Sequence, residues 1–445
     1  MERSVDVLIL GAGISGLAAA GRLRGTGLKT LVLEKGAGAG GLSRTPRAGR
    51  FSFDLGGHRL YFSKESVRAW TEDLLKGRRL LRPERSSAVF TGGRLLRYPP
   101  TFLNGLLYAA PALLGPGRRA PAGEPATLKD WLEQRLGARV HDRYFRDYTR
   151  KVWGLGTEGL SPVWAERRIG GGFSVKTLLL ELFGGRLSSK ENVRRFLYPE
   201  KGIGELPEAL LAASGAEVLT GAEPAELVFR NGRPAEAVFV RGGGAERVRF
   251  KALVSAMPLR SLLDLLPPLP GTDPAALRYR SLVVLFAALR RRKASPYHWV
   301  YFPDGDAQFS RVCELANWSP LLAPDGWLPL TLEFFCDEGD AVWRMSAEEL
   351  AEAAFKSPGL RRLAGAFEPG ELAVERLPHA YPLLYAGAEA PLAAIKDALA
   401  KIPNLFICGR TGAHAYMDTE ECLLDAWSAA DAVKESLAVL RRQSP

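Results

Sequence analysis

Cysteine is scarce in this 445-residue chain: Cys313, Cys336, Cys408 and Cys422 are the only four, and they share no metal-ligand spacing. Each lies in an apolar segment, so all four read as packing residues, and neither a disulfide framework nor a zinc site is expected. No metal is expected. Long apolar runs are missing too. Phe102–Leu114 is broken by Asn104 and Pro111, and Ser281–Leu289 is short, so no segment reaches the length of a bilayer-spanning helix. Val5–Ala20 carries Asp6 and a glycine turn, which reads as strand plus helix instead of a signal peptide. A cytoplasmic location is expected, with membrane association left open. The formal charge of +11 is scattered over Lys76–Arg82, Arg118–Arg119, Arg290–Lys293 and Arg441–Arg442, as on a solvated surface. No basic run is interleaved with aromatics, so no nucleic-acid partner is expected.

What is present starts with Gly11-Ala12-Gly13-Ile14-Ser15-Gly16, set between the apolar run Val5–Leu10 and the helix-like Leu17–Leu23. Glu34 follows eighteen residues later, at the end of the run Thr30–Leu33. Strand, tight glycine turn, helix N-terminus and acidic residue in this order make a dinucleotide-binding unit. The helix offers free amides and its dipole to a pyrophosphate, and the carboxylate accepts from a ribose. A second glycine-rich turn, Gly38-Ala39-Gly40-Gly41-Leu42-Ser43-Arg44-Thr45, adds an arginine suited to clamping a pyrophosphate, which favours FAD over NAD. In Asp54-Leu55-Gly56-Gly57-His58 a glycine pair lets backbone approach a flat ring system. Residues 5–62 resemble the N-terminal part of the glutathione-reductase-like flavoproteins, the group of the amine oxidases, protoporphyrinogen oxidases, phytoene desaturases and UDP-galactopyranose mutases.

That resemblance implies an α/β fold: a Rossmann-like FAD-binding domain with a helical insertion and an antiparallel β-sheet substrate domain. The FAD domain is expected over 1–75, 196–265 and 400–445, a mostly helical substrate region over 76–195, and a sheet substrate region over 266–399. Glu84–Leu96 reads as a hairpin, and Thr127–Arg135 opens a helix running on to Trp153. The chain returns to the cofactor domain through a helix at Glu205–Ala213 and a strand at Glu217–Thr220. A loop near Ala222–Ala225 then passes the adenine, and a strand follows at Ala252–Met257. Asn404–Arg410 is an apolar strand closed by Gly409, followed by Asp418-Thr419 and the helical Cys422–Leu437. In the family this element places glycine amides on the pyrophosphate and a carboxylate on the ribityl hydroxyls. Strands at Ser281–Leu289, Tyr297–Phe302, Phe309–Leu315 and Leu328–Phe335 are rich in alternating or aromatic residues, as in an antiparallel sheet. The residues expected to hold FAD are Gly11, Gly13, Ile14, Ser15, Gly16, Glu34, Lys35, Gly41, Leu42, Arg44, Gly56, Gly57, His58, Gly409, Arg410, Asp418 and Thr419.

The substrate regions are similar to UDP-galactopyranose mutases along nearly the whole chain. Gly56-Gly57-His58 with Leu60–Ser63, Tyr148–Gly154, Trp164–Ile169, Tyr301–Asp304, Phe309–Val312, Asn317–Pro320, His379–Pro382 and Tyr416 carry the likeness. It implies a mutase in which the reduced flavin attacks the anomeric carbon of a nucleoside-diphosphate sugar, interconverting pyranose and furanose without net redox change. The flavin's reductant is not identified. Cations must hold the leaving diphosphate and hydroxyls must orient it. Arg168 and Arg311 match the family's diphosphate arginines and join His58 as catalytic candidates, while Tyr98, Tyr301, Asn317, Tyr381 and Tyr416 are the expected substrate contacts. Lys151-Val152-Trp153 also reads as a core anchor, and Arg311 sits on an alternating strand where a polar face is normally solvated. Tyr416–Glu421 departs from the mutase pattern, and His414-Ala415-Tyr416 fits the protoporphyrinogen oxidase group. The alternative reading is therefore an oxidoreductase whose flavin accepts hydride from an organic substrate; a flavin-binding scaffold without turnover is a third. Glycine density at Gly170–Gly172 and Gly184–Ser189 marks loops suited to closing over a substrate.

Overall fold

The structure, a computed structural model, describes residues 3–98, 123–168, 195–290, 295–365 and 368–443. The glycine-rich segments 170–172 and 184–189 lie outside them.

Val7–Leu10, fully buried and apolar throughout, is the middle strand of a five-stranded sheet ordered Glu217–Thr220, Thr30–Glu34, Val7–Leu10, Ala252–Ser255 and Leu405–Ile407. All four pairings are parallel, so both faces must be covered. One face packs on the helices Ile14–Leu23, Glu205–Ser214 and Thr419–Gln443, through Leu17, Leu206, Leu423 and Val433. On the other lies a four-stranded sheet of Glu223–Arg230, Arg233–Arg241 and Gly244–Arg249 with Arg3–Ser4 at its edge, burying Leu227, Phe239 and Val248. Of the loop expected near Ala222–Ala225, Ala222 precedes this meander and residues 223–225 lie within its first strand. Its hairpins turn at Asn231-Gly232 and Gly242-Gly243, all with positive φ, which is the two-residue geometry that matches strand twist.

The second sheet has seven strands, ordered Pro369–Pro382, Tyr279–Leu289, Leu328–Cys336, Arg311–Glu314, Trp299–Tyr301, Ser87–Thr91 and Arg94–Tyr98. The hairpin expected at Glu84–Leu96 therefore extends the substrate sheet and is not part of the helical region. Alternation along these strands separates two faces. Val283, Val300, Val312, Leu330, Leu332 and Phe334 pack beneath the helices Ala347–Phe355 and Pro358–Ala364. Trp299, Tyr301, Cys313 and Phe335 face the opposite way, toward Phe51, Phe53 and Tyr198. The functional side chains lie on that second face.

The helix expected to run from Thr127 to Trp153 is interrupted. Leu128–Leu136 starts at a Thr127–Asp130 capping box and stops at Gly137, whose φ of 84° no side-chain-bearing residue adopts cheaply. Arg146–Trp153 follows after a wide turn at His141–Phe145. Arg280, buried within the sheet, ties that helix down: it donates to the carbonyls of Lys151 and Val152 and pairs with Asp337 at 2.6 Å. No described helix is long and apolar enough to cross a membrane.

Candidate active site

The cofactor side is built from glycines that nothing larger can replace. A Cβ on Gly16 would lie 1.9 Å from the Gly11 carbonyl oxygen, and one on Gly41 would lie 3.2 Å from the Gly13 Cα. These contacts press the first helix and the second glycine turn against the end of Val7–Leu10. Ile14–Leu23 starts at Gly13 with no capping side chain and no acid in its first turn, so its leading amides stay available to an anion. Glu34 accepts from the amides of Ala12 at 2.8 Å and Gly36 at 2.7 Å, which fixes a carboxylate where a ribose hydroxyl would meet the turn. Arg44 is held beside the turn by the Gly41 carbonyl, at 3.0 Å, and by Glu375. Uncapped amides, a carboxylate and a glycine cradle are the donor and acceptor set a flavin dinucleotide needs. Lys35, by contrast, is exposed and paired with Glu223.

Gly409 closes its strand with φ of 82° against Ser15 at the start of the first helix, leaving no room for a Cβ. The carboxylate on its amide is Asp425, at 2.7 Å. Asp418 instead caps the last helix: it accepts from the Glu421 amide at 3.0 Å while Glu421 accepts from its own amide. Thr419 is the first residue of that helix. Asp425 lies seven residues beyond Asp418, about two helical turns on, so it presents the same face. Glu420, also buried, accepts from Ser63 and Lys64 and so binds the start of Glu65–Leu74 to this helix.

Asp54 is the node that joins these pieces. Its buried carboxylate accepts from the Thr45 hydroxyl at 2.6 Å, the Tyr198 phenol at 2.6 Å and the Ile203 amide at 3.1 Å. Burial drives its pKa up to about 6, against those three hydrogen bonds. Gly56 and Gly57 follow and run under Arg311 and Glu333. A Cβ on Gly56 would sit 2.7 Å from Glu333 Oε1, and Gly57 donates its amide to that oxygen at 3.2 Å. Glu333 is the lone carboxylate in the apolar strand Leu328–Cys336 and lies directly opposite Arg311. Arg311 donates to it through Nε at 2.9 Å and Nη2 at 2.6 Å. Burial opposes the guanidinium charge most strongly, but Glu333 together with Cys313, Tyr301 and Tyr381 outweighs it and holds the Arg311 pKa well above its ordinary value.

His58 adjoins this pair. Burial first, then the charges of Arg410 and Arg311, push its pKa down to about 3, so the ring is neutral at pH 7. Its Nδ1 is buried and has no hydrogen-bond partner among the described residues. Arg410 lies over two phenol rings at once, 5.1 Å from Tyr381 and 5.7 Å from Tyr416, and those rings are nearly parallel at 6.0 Å. Tyr301 stands opposite Arg311 on the neighbouring strand and meets Tyr98 and Tyr148 edge-on at about 6 Å. His58, Arg311, Arg410, Tyr301, Tyr381 and Tyr416 thus come together, with Tyr98 at the rim.

Two residues expected on the substrate side are placed differently or not described. Asn317 donates to the carbonyls of Ser295 and Tyr297 and braces a turn. Arg168 ends the helix Val163–Arg168, and its side chain lies outside the described residues. Lys151 reaches the carbonyls of Phe302 and Asp304, the anchoring role its sequence context allowed. Sequence reasoning missed Glu333 and Asp425 as partners of the site. An isolated carboxylate inside an otherwise apolar strand was the available signal for Glu333.

Residues 14–434 match the family model described as flavin containing amine oxidoreductase. The chain is 26% identical over 240 residues to the "Putative flavin-containing monoamine oxidase AofH" of Mycobacterium tuberculosis, covering 49% of this chain and 50% of that protein. It thus spans about half the length of that curated relative. Among solved structures it superposes on reduced UDP-galactopyranose mutase with a TM-score of 0.78 at 22% identity, covering 97% of this chain and 94% of the other. A putative protoporphyrinogen oxidase from Exiguobacterium sp. 255-15 gives a TM-score of 0.73 at 18% identity, over 98% and 99% of the two chains. Putrescine oxidase gives 0.67 at 18% identity, over 98% and 100%. The shared fold is the FAD-binding α/β domain with its substrate sheet, the cofactor is FAD, and the chain belongs to the flavin containing amine oxidoreductase family.

Proposed function

We propose that this flavin-dependent enzyme is a nucleotide-sugar mutase that interconverts the pyranose and furanose forms of a nucleoside-diphosphate sugar. The observation that carries this reading is the convergence of Arg311, Arg410, Tyr301, Tyr381 and Tyr416 on one face of the substrate sheet, beside a neutral His58. Reduced FAD supplies the nucleophile for the anomeric carbon. The protein must then steady the departing diphosphate, and two guanidiniums with three phenols supply charge and hydroxyl donors in a water-poor setting. Tyr381 stays protonated, because burial raises its pKa.

A second reading is supported by the same geometry. Glu333 compensates the charge of Arg311, and the near-parallel Tyr381 and Tyr416 rings form an aromatic wall suited to an uncharged organic substrate oxidised by FAD. The test is to reduce the FAD-loaded enzyme with dithionite, add UDP-galactopyranose and related nucleotide sugars, and follow the furanose isomer by anion-exchange chromatography. Conversion is expected. No ring contraction with any nucleotide sugar, together with hydrogen peroxide release from an amine or porphyrinogen in air, would establish the second reading instead.

A further inference from the structure

Arg85 has no role in the site as built above, yet it is the most anomalous cation in the described structure. It is 6% exposed, and among the described residues neither Nη1 nor Nη2 has a hydrogen-bond partner and no carboxylate pairs with it. Its Nε reaches the buried Ser87 hydroxyl at a long 3.4 Å, and Ser87 in turn donates to the Tyr98 carbonyl at 2.6 Å. The guanidinium lies over two rings, 5.2 Å from Trp299 and 5.5 Å from Tyr98. Trp299 is itself 3% exposed, and its indole Nε1 is also without a partner among the described residues. A second guanidinium, Arg59, lies 5.7 Å over the same indole.

Ring faces recover only part of what a buried cation loses on leaving water. The three orphaned atoms, Arg85 Nη1 and Nη2 and Trp299 Nε1, are all hydrogen-bond donors and none can accept. Such a set is satisfied by a group that brings several acceptors and negative charge, and the planar guanidinium fork matches an oxyanion in particular. We propose that Arg85 and Trp299 form a binding subsite for a phosphoryl oxyanion, carried by a small molecule that also reaches the flavin. The location supports continuity with the site: Trp299 and Tyr301 are two residues apart on one strand, share a face and lie 6.5 Å from each other. Tyr98 touches both Arg85 and Tyr301. The subsite lies about 7 Å along the strand from the Tyr301–Arg311 pair, two residues of strand rise. It does not depend on which reaction runs at the flavin.

The test uses the FAD-loaded protein, titrated with inorganic phosphate against chloride at matched ionic strength, with acetate as the carboxylate arm. Melting temperature and tryptophan fluorescence are the readouts. Phosphate should raise the melting temperature of the wild type saturably, and acetate should do so more weakly. Arg85→Met should weaken phosphate binding by about tenfold or more, the loss of a charge-assisted hydrogen bond. In chloride alone Arg85→Met should melt at or above the wild type, because it removes an uncompensated buried charge. Trp299→Phe should weaken phosphate several-fold while leaving the chloride melting temperature close to wild type. A phosphate response that equals the chloride response, or that survives Arg85→Met, overturns the proposal. So does an Arg85→Met protein that melts below wild type in chloride or fails to fold, which would make Arg85 a structural residue. Because the titration reads binding without turnover, its failure is separable from a failure to form furanose.

Discussion

Arg311 and Glu333 face each other across adjacent antiparallel strands, and both hydrogen bonds from the guanidinium land on one oxygen, Oε1, which also receives the Gly57 amide. The pair is therefore a fixed unit that carries the Gly56–Gly57 loop, not an arginine waiting in solvent. Breaking a buried pair leaves a charge stranded, whereas replacing both partners by apolar groups does not. Glu333→Gln should cost roughly 3–5 kcal/mol in urea unfolding, and Arg311→Met with Glu333→Leu should recover most of that loss. Equal destabilisation by the single and double variants would mean that the two side chains do not act as a pair.

Asp54 should make its mark on the pH dependence of stability. Its folded pKa of about 6 lies above the ordinary carboxylate value of 3.8, so between those values the folded state holds a proton that the unfolded chain releases. Stability from this group is greatest below the unfolded pKa, falls as pH rises to about 6, and is flat above. The difference is roughly 3 kcal/mol, at 1.36 kcal/mol per pKa unit. Subtracting the profile of Asp54→Asn isolates this step from the other carboxylates. A difference profile that is level from pH 4 to pH 7 would show that Asp54 ionises normally.

Local chemistry was legible in the sequence where one segment holds the whole signal. The turn Gly11–Gly16, Glu34 and all five strands of the parallel sheet depend on short apolar runs and glycines that act within a few residues. Long-range pairing was not legible. Glu333 meets Arg311 from 22 residues away, and Asp425 reaches the Gly409 amide only because the last helix brings its second turn back to that strand. The strand Pro369–Pro382 was hidden by its prolines, which ordinarily exclude a central strand; it is an edge strand, where a missing donor can face outward, and its register shifts opposite Arg280–Leu282. The meander over 223–249 does carry a local signal, since Asn-Gly and Gly-Gly between alternating runs are strong hairpin turns.

His58 should remain neutral throughout the physiological range. With burial and two guanidiniums holding its pKa near 3, carbon-13 labelled ring resonances should show no titration of His58 between pH 5 and 8 in the FAD-loaded protein. The neutral ring can accept or donate at one nitrogen but carries no charge to a substrate. A midpoint near the ordinary imidazole value of 6.5 would mean that His58 is not held neutral by burial and the two guanidiniums.

Lys151 separates an anchoring role from a chemical one. Its Nζ donates to the Phe302 carbonyl at 2.7 Å and to the Asp304 carbonyl, fastening the end of Arg146–Trp153 to the loop after Trp299–Tyr301. Burial lowers its pKa to about 8, a value that in isolation would invite assignment as a catalytic base. The geometry argues otherwise, because both hydrogen bonds are to backbone of the same short loop. Lys151→Met keeps the stem and removes both donors, so it should cost roughly 2–3 kcal/mol of stability. Turnover measured well below the melting temperature, and the flavin absorption spectrum, should stay at wild-type levels. The inverse pattern, with stability intact and turnover lost, would place the Lys151 ammonium at the substrate.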